Sequence, residues 1–113
     1  MSDGAYVPAR DAWRTIDAVD AGFDPQRLAA AVAFAQASET DWPRQLLTAD
    51  GQLWYAVSMG ETPPVSLPLG PVQDRDGPSG LVLRGGMIAA SWGDIARPQI
   101  TFSVAKSYLA VLA

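Results

Sequence analysis

The clearest pattern of apolar and polar positions along the chain is helical and lies in its first third. Apolar side chains recur there every three to four residues, a spacing that places them on one face of a helix. They are Leu28, Ala31, Val32 and Ala35. Asp24 can cap the first turn, and Pro25 suits the first helical position because no intrahelical bond needs its missing N–H. The pattern predicts a helix over about residues 24–38.

Two short apolar runs around a glycine pair predict a β-hairpin over residues 80–94. Both runs are partly β-branched, and Gly85-Gly86 accepts the positive φ angles that a tight two-residue turn requires. After Pro98 the chain is rich in alanine and leucine, which favours a helix from about Ser103. The order of helix, hairpin and helix indicates an α+β fold.

The segments between these elements give weaker patterns. A second short helix is expected to start at Asp41-Trp42-Pro43-Arg44 and to run through Leu47, ending near Asp50-Gly51. Residues 62–80 hold more than half of the nine prolines. Proline at that density blocks both helices and central strands, so we expect a long loop.

Composition narrows the chemistry that the chain can perform. It has 113 residues, of which 49% are apolar and 18% charged, as in globular proteins. The net charge is −4 and no basic stripe is present, so nucleic acid is not an expected partner. The chain has no cysteine and no histidine. Disulfides, the usual zinc sites and a Ser-His-Asp triad within these residues are therefore excluded.

The two ends of the chain carry expectations about its context. The first residues show no basic segment followed by an apolar run, and no stretch is long enough to span a membrane. We therefore expect a cytoplasmic protein without a membrane partner. The final helix has no C-terminal glycine or polar last turn, and its apolar residues 109–113 need something to pack against. We expect the chain to be a partial domain, cut within this helix.

One motif carries chemistry: Ser103-Val104-Ala105-Lys106, a Ser-x-x-Lys pattern. Residues three apart on a helix share a face, so the lysine amine can reach back to the serine hydroxyl. A serine at a helix N-terminus meets unpaired N–H groups and the positive end of the dipole, which favour an alkoxide or oxyanion. A lysine acts as the base only if burial or neighbouring cations lower its pKa.

The same residues also fit a serine N-cap followed by a solvent-facing lysine. Two features favour the chemical interpretation. Lys106 is the only lysine in the chain, and the motif lies where a predicted strand and loop meet a predicted helix.

Residues 80–113 resemble the serine β-lactamase, D-alanyl-D-alanine carboxypeptidase and esterase superfamily, and most closely its class C-like hydrolases. The shared pattern is Gly-Leu-Val-Leu-Arg-x-Gly-x-Ile-x-x-x-Trp-Gly-Asp and then, after a linker, Thr-Phe-Ser-x-x-Lys. It is matched here at residues 80–94 and 101–106. Residues 21–28 also look like the start of the family's N-terminal helix, and residues 41–43 fit its continuation.

The resemblance implies the N-terminal part of a β-lactamase/transpeptidase-like fold, with residues 1–113 as a partial serine hydrolase domain. It implies that Ser103 is the acylated nucleophile, that its N–H is one oxyanion donor, and that Lys106 activates the hydroxyl. The substrate would be a small ester, amide or β-lactam, and neither a metal nor a cofactor is needed. The family's Tyr-x-Asn or Ser-x-Asn and Lys-Thr-Gly or His-x-Gly elements are absent from these residues, and Tyr108 does not supply the first. We therefore expect the isolated 113 residues to be inactive.

An alternative of a different class remains open. The chain can be a non-catalytic fragment or a small interaction domain, which pairs through its hairpin edge and its apolar final helix. In that case exposed apolar surface leads to self-association.

Overall fold

The computed structural model describes residues 6–113. It contains a two-stranded antiparallel sheet and three helices, so the fold is a small α+β one. In chain order the elements are α1 (Pro25–Ala37), α2 (Trp54–Ser58), β1 (Gly80–Arg84), β2 (Met87–Trp92) and α3 (Ala105–Leu112), with a 3-10 turn at Phe102–Val104 before α3.

The chain divides into two compact units, each built from two stretches of sequence. The first unit contains the described residues up to Asp41 together with Gly77–Ala96, and the second contains Trp42–Asp76 together with Arg97–Ala113. The first unit therefore holds α1 and the hairpin, and the second holds α2 and α3.

Helix α1 confirms the predicted helix and its cap. Asp24 Oδ1 accepts hydrogen bonds from the N–H groups of Gln26 at 2.9 Å and Arg27 at 3.1 Å. These bonds satisfy two of the donors that a helix N-terminus leaves unpaired. The helix packs against β2. Three of the four predicted apolar-face residues are half-buried, but Ala31 is exposed because it lies beside the Leu28–Val32–Ala35 line.

The predicted hairpin is confirmed, and it carries features that its sequence pattern does not indicate. Gly85 and Gly86 form its turn with φ angles of 57° and 78°. The register shifts between Val82 and Leu83, so one residue of β2 is left without a partner on β1. The outer edge of β2 pairs with the segment around Thr15, because Ile88 donates to Arg14 O at 2.8 Å and accepts from Ile16 N at 2.9 Å.

The second unit differs most from expectation. The predicted helix from Asp41 through Leu47 is wrong, since these residues form bends and an isolated bridge from Leu47 to Leu53. A residue before proline is disfavoured in the α region, which works against a helix starting at Trp42-Pro43. The helix of this unit is α2 instead, which follows the bridge directly. Residues 62–79 contain neither helix nor strand, as expected for a proline-rich loop.

Each unit has a small core. In the described part of the chain, the buried apolar residues are Ala21 in the first unit and Ala56 in the second. Ser66 is fully buried in the second unit, and its carbonyl accepts from Leu53 N at 2.8 Å.

No helix among residues 6–113 has the length and apolar character needed to cross a membrane.

Candidate active site

Ser103 lies in the middle of the 3-10 turn that leads into α3. Its neighbour Val104 donates a backbone hydrogen bond to Thr101 O at 3.1 Å, which closes the turn. The Ser103 side chain is exposed. The predicted helical start at Ser103 therefore takes the form of a 3-10 turn, with the α-helix beginning two residues later.

The residue before Ser103 has an unusual backbone. Phe102 has a φ angle of 46°, and it is the only non-glycine residue with positive φ in the described part of the chain. A bulky side chain in the left-handed region is a genuine outlier, because Cβ approaches the following carbonyl oxygen. Such conformations cost about 1–3 kcal/mol and persist only where surrounding contacts hold them.

Two aromatic rings contact Phe102, and a third extends the group. The Phe102 ring lies edge-on to Trp42 and to Tyr55, with centroid distances of 5.6 Å and 5.4 Å. Trp42 in turn contacts Trp54 at 5.5 Å, with the two planes tilted by 59°. We call Trp42, Trp54, Tyr55 and Phe102 the aromatic cluster. Edge-to-face pairs of this kind contribute about 0.5–1.5 kcal/mol each beyond the area they bury.

Arginine side chains brace the segments that carry the cluster. Arg75 donates from Nε to Pro43 O at 3.3 Å and from Nη2 to Trp42 O. Arg97 donates to Asp74 O at 2.9 Å and forms an ion pair with Asp76, with its Nη1 3.7 Å from Oδ2. These bonds tie the end of the proline-rich loop to Trp42 and to the chain that enters the 3-10 turn.

Lys106 is the second residue of α3, and its side chain is exposed. Residues 103 and 106 are one turn apart, as the motif requires. Among residues 6–113, however, no hydrogen bond joins the Ser103 hydroxyl to the Lys106 amine, and neither side chain has another hydrogen-bond partner. The two groups of the motif are near each other in the chain, but they lie in solvent.

The local sequence does not indicate two features of this region. Phe102 carries no glycine-like signal, so its positive φ is visible only in the structure. Gln99, four residues before Ser103, lines a pocket and has a buried amide nitrogen without a partner. Both features depend on contacts with residues more than 20 positions away.

Comparisons with known proteins do not identify a relative. No family model, no curated protein and no solved structure matches the chain.

Proposed function

We propose that this chain carries the nucleophile segment of a serine hydrolase related to β-lactamases, in which Ser103 forms an acyl-enzyme. The observation that carries the proposal is the strained backbone of Phe102, directly before Ser103 in the Ser-x-x-Lys motif. Strained residues cluster at active sites, where they fix the position of a reacting group. A serine that served only as a helix cap would not need a strained neighbour.

The proposed reaction begins with attack on an ester, amide or β-lactam carbonyl. The Ser103 Oγ forms a bond to the carbonyl carbon, and its proton moves to the Lys106 amine. The tetrahedral oxyanion then collapses, the bond to the leaving alcohol or amine breaks, and the lysine returns the proton to that group. A water molecule next attacks the acyl carbon, which releases a carboxylic acid and restores the serine hydroxyl.

The position of Ser103 suits the stabilisation of the oxyanion. Its N–H lies in the first turn of a helical segment, where N–H groups have no intrahelical acceptor. One such donor is worth about 10²–10³ in rate when it is aimed at the developing charge. The resemblance to the β-lactamase superfamily implies a second donor from a later strand, which residues 1–113 do not contain.

To act as a base, the Lys106 amine needs a less solvated environment than the one it has in this structure. A neutral amine is favoured by desolvation or by nearby cations, whereas the Lys106 side chain is exposed. Substrate or further protein packed against the exposed side of α3 would provide this setting. We therefore expect hydrolysis only when substrate or further protein covers α3, and no hydrolysis by residues 1–113 alone.

The test is covalent labelling of the polypeptide encoded by the natural gene. A fluorescent penicillin and a fluorophosphonate are used as probes, and the modified residue is identified by peptide mass spectrometry. We expect labelling at Ser103, loss of labelling in Ser103→Ala and Lys106→Met, and full labelling in Ser107→Ala, which changes the serine of α3. Equal labelling of wild type and Ser103→Ala, or labelling confined to another serine, contradicts the proposal.

A second function, that of a non-catalytic interaction module, is favoured by the surface of α3. Four of its side chains are at least 59% exposed although they are large and apolar. They are Tyr108, Leu109, Val111 and Leu112. Exposed apolar surface of this kind typically marks a protein interface. A discrete oligomer of residues 1–113 that Leu109→Lys dissociates, together with no labelling of the natural polypeptide, would favour this function over hydrolysis.

A further inference from the structure

The second unit contains a pocket that the Ser-x-x-Lys motif does not use. It has a volume of about 360 Å³, within the range of small-molecule sites. Most of its wall is apolar and comes from separate stretches of the unit. The lining residues include Leu46, Leu53, Tyr55, Val72, Gln99 and Ile100. Tyr55 also contacts Phe102, so the pocket shares a wall with the aromatic cluster.

Gln99 gives this apolar pocket a specific polar group. Its Oε1 accepts a hydrogen bond from Asp76 N at 3.4 Å, which identifies Nε2 as the opposite end of the amide. Nε2 is buried and has no hydrogen-bond partner within the described part of the chain. A buried donor without an acceptor is destabilising, so a group that supplies an acceptor is favoured there.

The lining of the pocket disfavours a charged ligand. None of the described residues that line the pocket carries a charged side chain. The polar side chains among them are Gln73, Gln99 and the phenol of Tyr55. An anionic ligand would lose part of its hydration without gaining a cation, which is costly against an apolar wall. A neutral carbonyl compound avoids this cost and still presents an oxygen to the amide.

We infer that this pocket binds a neutral carbonyl compound with a compact apolar body, whose oxygen accepts a hydrogen bond from Gln99 Nε2. Nε2 is buried, so the amide has to turn towards the ligand. The bond that holds its other end is long at 3.4 Å and therefore weak, and the terminal torsion of glutamine is broad. The inference goes beyond the proposed hydrolysis and does not depend on Ser103.

The test uses residues 1–113, with acetophenone and ethylbenzene as a matched pair of probes that differ in the carbonyl group. Binding is followed by NMR of isotope-labelled protein. We expect millimolar affinity for acetophenone, as befits a ligand of this size, with shifts in the methyl groups of Leu46 and Val72 and in the side-chain amide of Gln99. Benzoate should bind at least tenfold more weakly than acetophenone.

The Gln99→Met variant isolates the hydrogen bond. We expect it to weaken acetophenone about tenfold and to leave ethylbenzene unchanged, while Gln36→Met on α1 alters neither. An equal effect of Gln99→Met on both probes, shifts outside the pocket, or no binding of acetophenone up to its solubility limit would overturn the inference. If the variant does not fold, the Gln99 amide signal of the wild-type protein decides, because only acetophenone should move it strongly.

Discussion

Asp50 illustrates how single polar residues organise the second unit. Its carboxylate accepts from the Thr48 hydroxyl at 2.6 Å and from Gln52 Nε2 at 2.5 Å. The Gln52 Oε1 in turn accepts from the hydroxyl of the fully buried Ser66 at 2.5 Å. The hydrogen bond from Thr48 and then that from Gln52 lower the pKa of Asp50 from its ordinary value.

This shift predicts a pH dependence with a definite sign. Because the pKa of Asp50 is lower in the folded than in the unfolded chain, its ionised form favours folding. The contribution is fully present above about pH 4 and is lost as the pH falls through the folded-state pKa. Thr48→Val should raise the pKa of Asp50 in a carboxyl NMR titration, whereas Thr62→Val should not. An unchanged titration in Thr48→Val would show that Thr48 is not the main cause.

Phe102 allows the backbone strain before Ser103 to be measured. Glycine adopts positive φ without penalty, whereas alanine at this φ pays about 1–2 kcal/mol. Phe102→Gly and Phe102→Ala both remove the ring, so their difference isolates the backbone. We expect the glycine variant to be more stable by about 1 kcal/mol in urea unfolding. In an ordinary helical position the order is reversed, and that reversed order would argue against the strained conformation.

Only those features of the candidate site that depend on neighbouring residues in the sequence could be predicted from it. The three-residue spacing of Ser103 and Lys106 follows from the motif and from helical geometry. The conformation of Phe102 does not, because its contacts come from Trp42 and Tyr55, far away in the chain. The pocket at Gln99 was invisible for the same reason, since chain segments distant in sequence form its walls.

At the scale of elements, the N-terminus of α1 depends on one side chain. Removing an aspartate cap that accepts two backbone hydrogen bonds costs about 0.5–2 kcal/mol. We expect Asp24→Ala to lower the free energy of unfolding by about 1 kcal/mol, measured by urea denaturation followed by circular dichroism. Asp20→Ala, in the preceding turn, serves as the control and should change stability by less than about 0.5 kcal/mol. Equal effects of the two variants would mean that the cap does not contribute.

The hairpin turn offers a comparison between two glycines with positive φ. A Cβ on Gly85 would meet no atom within 4 Å, whereas one on Gly86 would lie 2.6 Å from the carbonyl oxygen of Tyr6. Gly85→Ala should cost only the backbone strain, about 1 kcal/mol. Gly86→Ala should cost more, because the chain near Tyr6 must also move. Equal unfolding free energies for the two variants would contradict the close approach of Tyr6 to the turn.

The elements that the sequence predicted well are those whose signals lie within one window. Helix α1 carries its own cap and apolar spacing, and the hairpin carries its own turn. The pairing of β2 with Thr15 could not be predicted, since a single bridge leaves no alternating pattern. Helix α2 was missed because five residues are too few to show helical periodicity. The helix expected from Asp41 through Leu47 does not form, because Pro43 disfavours the helical conformation of Trp42 and Leu47 pairs in a bridge instead.

At the scale of the whole molecule, the stability of α3 and the proposed chemistry of Lys106 both require that the exposed surface of α3 be covered. The cores of both units are small, and the side chains of α3 are exposed on all sides of the helix. Helices of this length are marginal in water unless an apolar face is packed. A covering that packs Leu109 and Leu112 would also remove water from Lys106, so the stability of α3 and the neutral fraction of the Lys106 amine should rise together.

This coupling predicts that residues 1–113 alone show no steady-state ester hydrolysis. Loss of one oxyanion donor alone reduces the rate about 10²–10³-fold, and the exposed Lys106 adds a further loss. With p-nitrophenyl acetate as substrate, the rates of wild type and Ser103→Ala should therefore be indistinguishable, with Ser107→Ala as the matched control. A rate that survives purification and disappears only in Ser103→Ala would mean that the 113 residues already form a working site. The nucleophile would then be supported, and the need for a covered α3 would be refuted.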